Sequence, residues 1–323
     1  MYRACIVGYG AIGPVHAKAL KNIKNVELYA ICDIVKERAD EGANKNGVKA
    51  YYDFEECIKD KYIDYVHICT PHYLHFDMIT KSLDAGKRVV VEKPVVMKKE
   101  EFVTLLKRYD LTKIYPIFQN RTNTCIKKMK ELISKNDYGK LNGIKGVLTW
   151  HRDENYYNSE FWRGTKKYEG GGVLINQAIH TLDIMSYFAK DAYSVSANMA
   201  NYSLTGIIDV EDTVQAYIHY KNGAKGVIYA TNAYVSNPSM QIEIEFEKAD
   251  FIYINHTLFF NGQLVCKDSD KFSGKKYWGN GHENVLYDLY VNQSKFNLND
   301  IKDTMFTLFA IYESANKRKE IVL

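Results

Sequence analysis

Three glycines within six residues, set between an apolar run and a helix-forming stretch, constrain this chain's fold more than any other feature. The apolar run 3–7 ends in Gly8-Tyr9-Gly10-Ala11-Ile12-Gly13, and 11–22 then reads as a helix. In a strand–turn–helix of this kind the first glycine permits a tight turn. The second lets the backbone approach a pyrophosphate, and the third lets helix and strand pack closely. The free N–H groups at the helix start, around Ala11, Ile12 and Gly13, would receive the phosphates. Asp33 stands 20 residues after Gly13, at the end of a second strand-like run over 26–32. A carboxylate there hydrogen-bonds the adenosine ribose 2′-OH. It also repels a 2′-phosphate, so NAD is the expected cofactor. Lys36 and Arg38 nearby leave NADP open.

The pattern after the glycines repeats. Strand-like runs at 65–69, 88–91 and 114–118 alternate with helical patterns at 34–46, 76–85 and 98–109. Such alternation predicts βαβ units and a parallel, doubly wound Rossmann sheet. Beyond it lie a helix (124–135), a strand (143–150) and a loop (152–169) crowded with aromatic and charged residues. Gly170-Gly171-Gly172 then opens a helix to about 189. Strand-like runs follow at 192–203, 213–220, 226–234, 240–246 and 251–254, and helices at 282–295 and 298–316 end the chain. Strands in succession predict a mostly antiparallel, open-faced sheet covered by helices. The fold class is thus α/β plus α+β, with domains expected at 1–119 (dinucleotide binding) and 120–323 (substrate binding and oligomerisation).

Composition narrows the function classes. The 323 residues are 46 % hydrophobic and 25 % charged, with a net charge of +4. Those values suit a globular protein with a full core. Lys and Arg are scattered, so nucleic acid is not an expected partner. No stretch approaches the roughly 18 apolar residues of a membrane helix, and the start MYRACIVGYG lacks the long apolar stretch expected of a signal peptide. The cysteines Cys5, Cys32, Cys57, Cys69, Cys125 and Cys266 lack ligand spacing, and four lie in apolar or strand-like runs. A reducing cytoplasm and no metal are the expectations.

Glu92-Lys93-Pro94 follows the strand 88–91 at the carboxyl edge of the sheet, where open α/β sheets bind ligands. Together with GYGAIG, Thr70-Pro71 and GGGVLINQAIHTLD, it resembles the Gfo/Idh/MocA family of oxidoreductases, over the length of the chain. The resemblance implies hydride transfer between a nicotinamide and a hydroxyl of a sugar, cyclitol or glycoside. Oxidising an alcohol also requires a base for its proton, commonly His, and a cation near its oxygen. The resemblance assigns these roles to His180 and Lys93. Helical spacing puts Asn176 and His180 at i and i+4, on one side. The family commonly carries Asp at the position of Asn176, and an amide brings no charge to steady an imidazolium. Asp183 either orients His180 or pairs with a neighbouring segment. The loop of Thr70, Pro71, His72 and His75 is expected beside the nucleotide with Glu92 and Lys93, whereas His16 reads as packing.

On the substrate side stand Lys93, Asn176, His180, Trp162, Arg163 and Arg121. The aromatic loop suits sugar C–H faces, and Arg163 offers a fork for a carboxylate or phosphate. The resemblance assigns Arg121 to the substrate and implies a homodimer or homotetramer through the open sheet. The expected partner is a small carbohydrate or cyclitol. Two other readings stay open: an enzyme that recycles tightly held NAD while cleaving glycosides or exchanging hydride between sugars, and a non-catalytic NAD-binding regulator.

Overall fold

A computed structural model describes residues 1–268 and 281–323. The chain forms two compact units. Met1–Val96, Glu100–Gln119 and 281–300 make the first; Met97–Lys99, 120–268 and Ile301–Leu323 make the second. One division falls at Gln119/Asn120. The helix Gly281–Tyr290, which sequence reasoning assigned to the second domain, groups with the first unit. Leu286, Leu289 and Tyr290 are buried in the same apolar core as Ala4, Ile6, Leu20 and Val90. That burial, which local sequence cannot encode, overrides proximity along the chain.

Among the described residues the first unit is built on six parallel strands: β1 Tyr2–Val7, β2 Val26–Cys32, β3 Lys49–Tyr51, β4 Tyr65–Ile68, β5 Arg88–Val91 and β6 Ile114–Pro116. Their order is β3-β2-β1-β4-β5-β6. The order reverses direction between β1 and β4, so the loops leaving these two strands flank the switch point where such sheets bind ligands. Strands β4 and β5 are almost wholly buried apolar runs, as a sheet covered on both faces requires. Strand β3, three residues long, and the helix Phe54–Lys59, six residues long, were not foreseen, being too short for their periodicity to stand out.

Among the described residues the second unit holds nine strands: β7 Leu141–Thr149, β8 Ala192–Ala200, β9 Thr213–Tyr220, β10 Lys225–Thr231, β11 Gln241–Phe246, β12 Asp250–Ile254, β13 Thr257–Phe260, β14 Gln263–Lys267 and β15 Ile321–Val322. All pairings are antiparallel except β7 with β10. Residues of β9 alternate buried and exposed, the signature of a sheet wet on one face. Helices Ile179–Ala189 and Lys302–Lys317 pack on the other face. The expected single helix after the triple glycine is two: Val173–Asn176 and Ile179–Ala189. The backbone loosens between them, where Ala178 N–H donates to Val173 O at 2.7 Å, one residue further back than an α-helical bond.

Candidate active site

In the first unit the glycine turn is built as its spacing demands. Gly8 has φ +90°, and a Cβ there would stand 2.8 Å from the Cys69 carbonyl. A Cβ on Gly13 would stand 2.4 Å from the Gly8 carbonyl. Gly10 differs: a Cβ there meets nothing within 4 Å, which leaves the space a pyrophosphate needs. The helix begins at Gly13 rather than at the expected Ala11, and Pro14 occupies its first turn without an N–H. Ala11 is exposed and Ile12 half-buried at this mouth. Asp33 accepts from Tyr9 N–H at 2.7 Å and from Val35 N–H at 2.8 Å. The carboxylate therefore ties the glycine turn to the end of β2. The residues present fit a dinucleotide.

After β4, Thr70 and Pro71 lead into a turn of helix at His72–Leu74. His75 departs from the expected cofactor role. It is wholly buried, with Nδ1 2.7 Å from the Pro94 carbonyl and Nε2 2.9 Å from the Thr70 carbonyl. Burial lowers its pKa. Its geometry holds the loops after β4 and β5 together. His72 is buried, with its ring 5.9 Å from that of His75.

Glu92 follows β5, and two histidines reach it, with a third behind them. His16 Nε2 lies 3.0 Å from Glu92 Oε1, and His282 Nε2 lies 3.1 Å from the same oxygen. His16 Nδ1 is 2.9 Å from His67 Nδ1, and His67 Nε2 is 2.6 Å from the Tyr290 hydroxyl. Burial alone would raise the Glu92 carboxyl, but the hydrogen bonds from His16 and His282 outweigh it and hold it well below the usual range. Burial lowers His16, and burial with the nearby His16 lowers His67. An ionised Glu92 can only accept, and with His16 and His67 neutral the protons on this path run one way. Tyr290 O–H donates to His67, His67 Nδ1–H to His16, and His16 Nε2–H to Glu92. His16 is thus more than packing. His16, Glu92 and His282 also place three metal-ligand atoms within 4.8 Å of one another. Sequence spacing could not reveal this set, because its members come from three distant segments. Lys93 follows Glu92, half-buried, with its N–H 3.4 Å from Glu92 Oε2.

The second unit carries the substrate-side candidates. Glu211 is buried and accepts from Gly172 N–H (2.9 Å), Leu174 N–H (3.1 Å) and the Tyr312 hydroxyl (2.8 Å). Burial pushes its carboxyl up against these bonds. A Cβ on Gly172 would stand 1.8 Å from the Glu211 carbonyl, and one on Gly171 2.1 Å from the Tyr312 hydroxyl. Asn176 ends the short helix, and His180, half-buried, lies in the first turn of the next. The break between them corrects the expectation of one continuous helix face. Asn176 Nδ2 donates to Glu169, a buried carboxylate that sequence reasoning missed. Gln177 Nε2 donates to the Tyr156 hydroxyl at 3.2 Å, and its Oε1 accepts from Asn232 at 3.1 Å.

Arg121 does not present the substrate-side fork that the resemblance implied. Its Nε and Nη2 bind Asp183 at 2.8 and 2.6 Å, and its guanidinium lies over the Tyr187 ring. Thr304 donates to the same carboxylate at 2.8 Å. Of the two readings of Asp183, pairing with a neighbouring segment is the one observed. Arg163 keeps neutral partners, Ser159 Oγ at 2.7 Å and the Tyr156 carbonyl at 3.3 Å, and stacks on Tyr156 and Trp162. Trp162 is half-buried.

Comparisons with known proteins agree on one family. Residues 2–113 match the Gfo/Idh/MocA oxidoreductase family, NAD-binding Rossmann fold, and 126–252 match the Gfo/Idh/MocA C-terminal domain. The scyllo-inositol 2-dehydrogenase (NAD(+)) of Bacillus subtilis is 30 % identical, across 71 % of this chain and 67 % of its own. The myo-inositol 2-dehydrogenase of Thermotoga maritima is 28 % identical, across 75 % and 72 %. Among solved structures, a levoglucosan dehydrogenase complexed with NADH superposes with a TM-score of 0.87 at 21 % identity, covering 99 % of this chain and 98 % of that one. The WlbA dehydrogenase of Bordetella pertussis, in complex with NADH and UDP-GlcNAcA, gives 0.85 at 24 %, covering 100 % and 98 %.

Proposed function

This chain belongs to the Gfo/Idh/MocA oxidoreductases, and from that premise we propose that it is an NAD-dependent dehydrogenase acting on a secondary alcohol of a sugar or cyclitol. One observation carries the reading. The chain carries both side chains to which the resemblance assigns charge and proton: Lys93 at the carboxyl end of β5 and the half-buried His180.

Bound NAD supplies the hydride acceptor. The protein's residues do the rest. Gly8, Gly10 and Gly13 shape the turn that receives the phosphates, and Asp33 takes the ribose hydroxyl. Lys93 neutralises charge developing on the alcohol oxygen, and His180 accepts its proton. Trp162 and Arg163 face the polyol. The exposed sheet face carries Tyr217, Val227 and Tyr229, which supports association of copies through it. Among the described residues no helix is long and apolar enough to cross a membrane. All six cysteines are free thiols, which suits the cytoplasm.

A panel of inositols, sugars and nucleotide sugars, followed by NADH absorbance, tests the reading. Lys93→Ala and His180→Ala should each lower kcat by about a hundredfold or more while leaving NAD affinity intact. Wild-type rates in either variant would sink the assignment.

A further inference from the structure

Position 176 holds an amide where the resemblance implies a carboxylate, and a buried carboxyl group, Glu169, reaches that amide from seven residues away. We propose that Glu169 is a positioning residue that returns to position 176, through Asn176, the hydrogen-bond polarity and negative charge the sequence change removed. The proposal rests on the alcohol oxidation argued above.

Glu169 is 1 % exposed and both of its oxygens are engaged. Oε2 accepts from Gly164 N–H at 2.5 Å, and Oε1 accepts from Asn176 Nδ2. An ionised carboxylate only accepts. The Asn176 amide must therefore turn its NH₂ toward Glu169 and its Oδ1 toward the opposite edge. That orientation is the one in which the bond from Asn176 Nδ2 to Glu169 Oε1 is made. Asn176 then directs its Oδ1 as an acceptor, as Asp would, with the Glu169 carboxyl group one amide away.

The fold makes this reach across seven residues possible. Glu169 N–H closes a turn on the Thr165 carbonyl at 2.8 Å, and Gly170 takes φ +88°. The short helix then starts at Val173, and Asn176 N–H returns to the Gly172 carbonyl at 3.1 Å. Neighbouring groups have other duties. Asp183 is held by Arg121 and Thr304, Glu211 by the helix start and Tyr312, and Gln177 by Tyr156 and Asn232.

A polarity swap tests the idea. Glu169→Gln cannot accept from both partners: keeping the Gly164 bond points its own NH₂ at Asn176 and reverses that amide. Asn176→Asp sets two carboxylates against each other. The double variant restores a donor at 169 and an acceptor with charge at 176. Glu169→Gln should lower kcat about tenfold to hundredfold, as when other partners that orient a working side chain are lost. Its KM and NAD affinity should stay near wild type. Asn176→Asp should be similarly slow, and the double variant should recover most of kcat. Unfolding midpoints of the four proteins give a second readout and should show the same coupling.

Wild-type kcat in folded Glu169→Gln overturns the proposal, as does a folded double variant no faster than Asn176→Asp. Should Glu169→Gln alone fail to fold, rescue of Asn176→Asp by the double supports the proposal, and absence of rescue overturns it. A wild-type protein that binds NAD but oxidises no polyol defeats the functional reading, and this one with it. A polyol-oxidising wild type matched by Glu169→Gln defeats this one alone.

Discussion

Two glycine-rich corners open helices in this molecule, and they are built to opposite ends. At Gly8–Gly13 the middle glycine faces open space. At Gly170–Gly172 the room is filled by the protein itself: Tyr312 against Gly171, the Glu211 backbone against Gly172. The Glu211 carboxylate takes the N–H groups of Gly172 and Leu174 at that helix start. A helix N-terminus attracts an anion in both cases. In the second corner the anion is an internal side chain; in the first the place is left for a ligand. Glycine density therefore marks close approach, and only the surroundings say whether the visitor is a cofactor or another part of the chain.

Substitutions at the two corners should separate these roles. The largest effect is expected at Gly172→Ala, whose methyl group would overlap a backbone carbonyl that cannot swing aside. We expect about 4 kcal/mol or more of destabilisation, read as loss of the folding transition of the second unit in chemical denaturation. Arg121→Ala would leave Asp183 buried without its cation. A loss of about 3 kcal/mol is expected. Unchanged stability with a raised substrate KM would return Arg121 to the substrate. Glu211→Gln places an amide NH₂ toward a backbone N–H and should cost about 1–2 kcal/mol.

That variant also carries a pH signature. Burial raises the Glu211 carboxyl in the folded state, so the folded protein holds its proton more tightly than the unfolded chain. The group's contribution to stability is complete below the unfolded pKa and lost as pH rises through the folded one. Wild-type stability should therefore gain from this group on acidification, and Glu211→Gln should flatten the gain. The smallest change in stability, within about 0.5 kcal/mol, is expected at Gly10→Ala. There the loss should appear in NAD affinity, about tenfold or about 1.4 kcal/mol by titration calorimetry. A destabilised Gly10→Ala with normal affinity would erase the contrast between the corners.

Much of the first unit was legible because its rules are local. Gly8, Gly13 and Asp33 act within one strand–turn–helix, and apolar runs such as Val89-Val90-Val91 announce buried parallel strands. The second unit was legible as a succession of strands, but β13 and β14 escaped. Thr257–Phe260 and Gln263–Lys267 are four and five residues long around Asn261-Gly262, too short for their alternation to stand out. The helix break after Asn176 was hidden because the apolar pattern runs on through it. Glu169, Glu211 and the partners of Glu92 were missed because no local pattern signals them. Glu211 and the histidines at Glu92 take their meaning from groups far along the chain, and the partners of Glu169, five and seven residues away, follow no helix or strand spacing.

The return of Gly281–Tyr290 to the first unit has a consequence for biosynthesis. His282, Leu286 and Tyr290 contribute to that unit's histidine network and apolar core. At ribosomal speeds of roughly 5–20 residues per second, they are made about 10–30 s after Gln119. The nascent first unit must wait through the synthesis of nearly the whole second sheet with Glu92 lacking one donor and part of its core uncovered. A fragment ending at residue 119 would hold that state permanently, and chaperones should bind it in preference to the full chain.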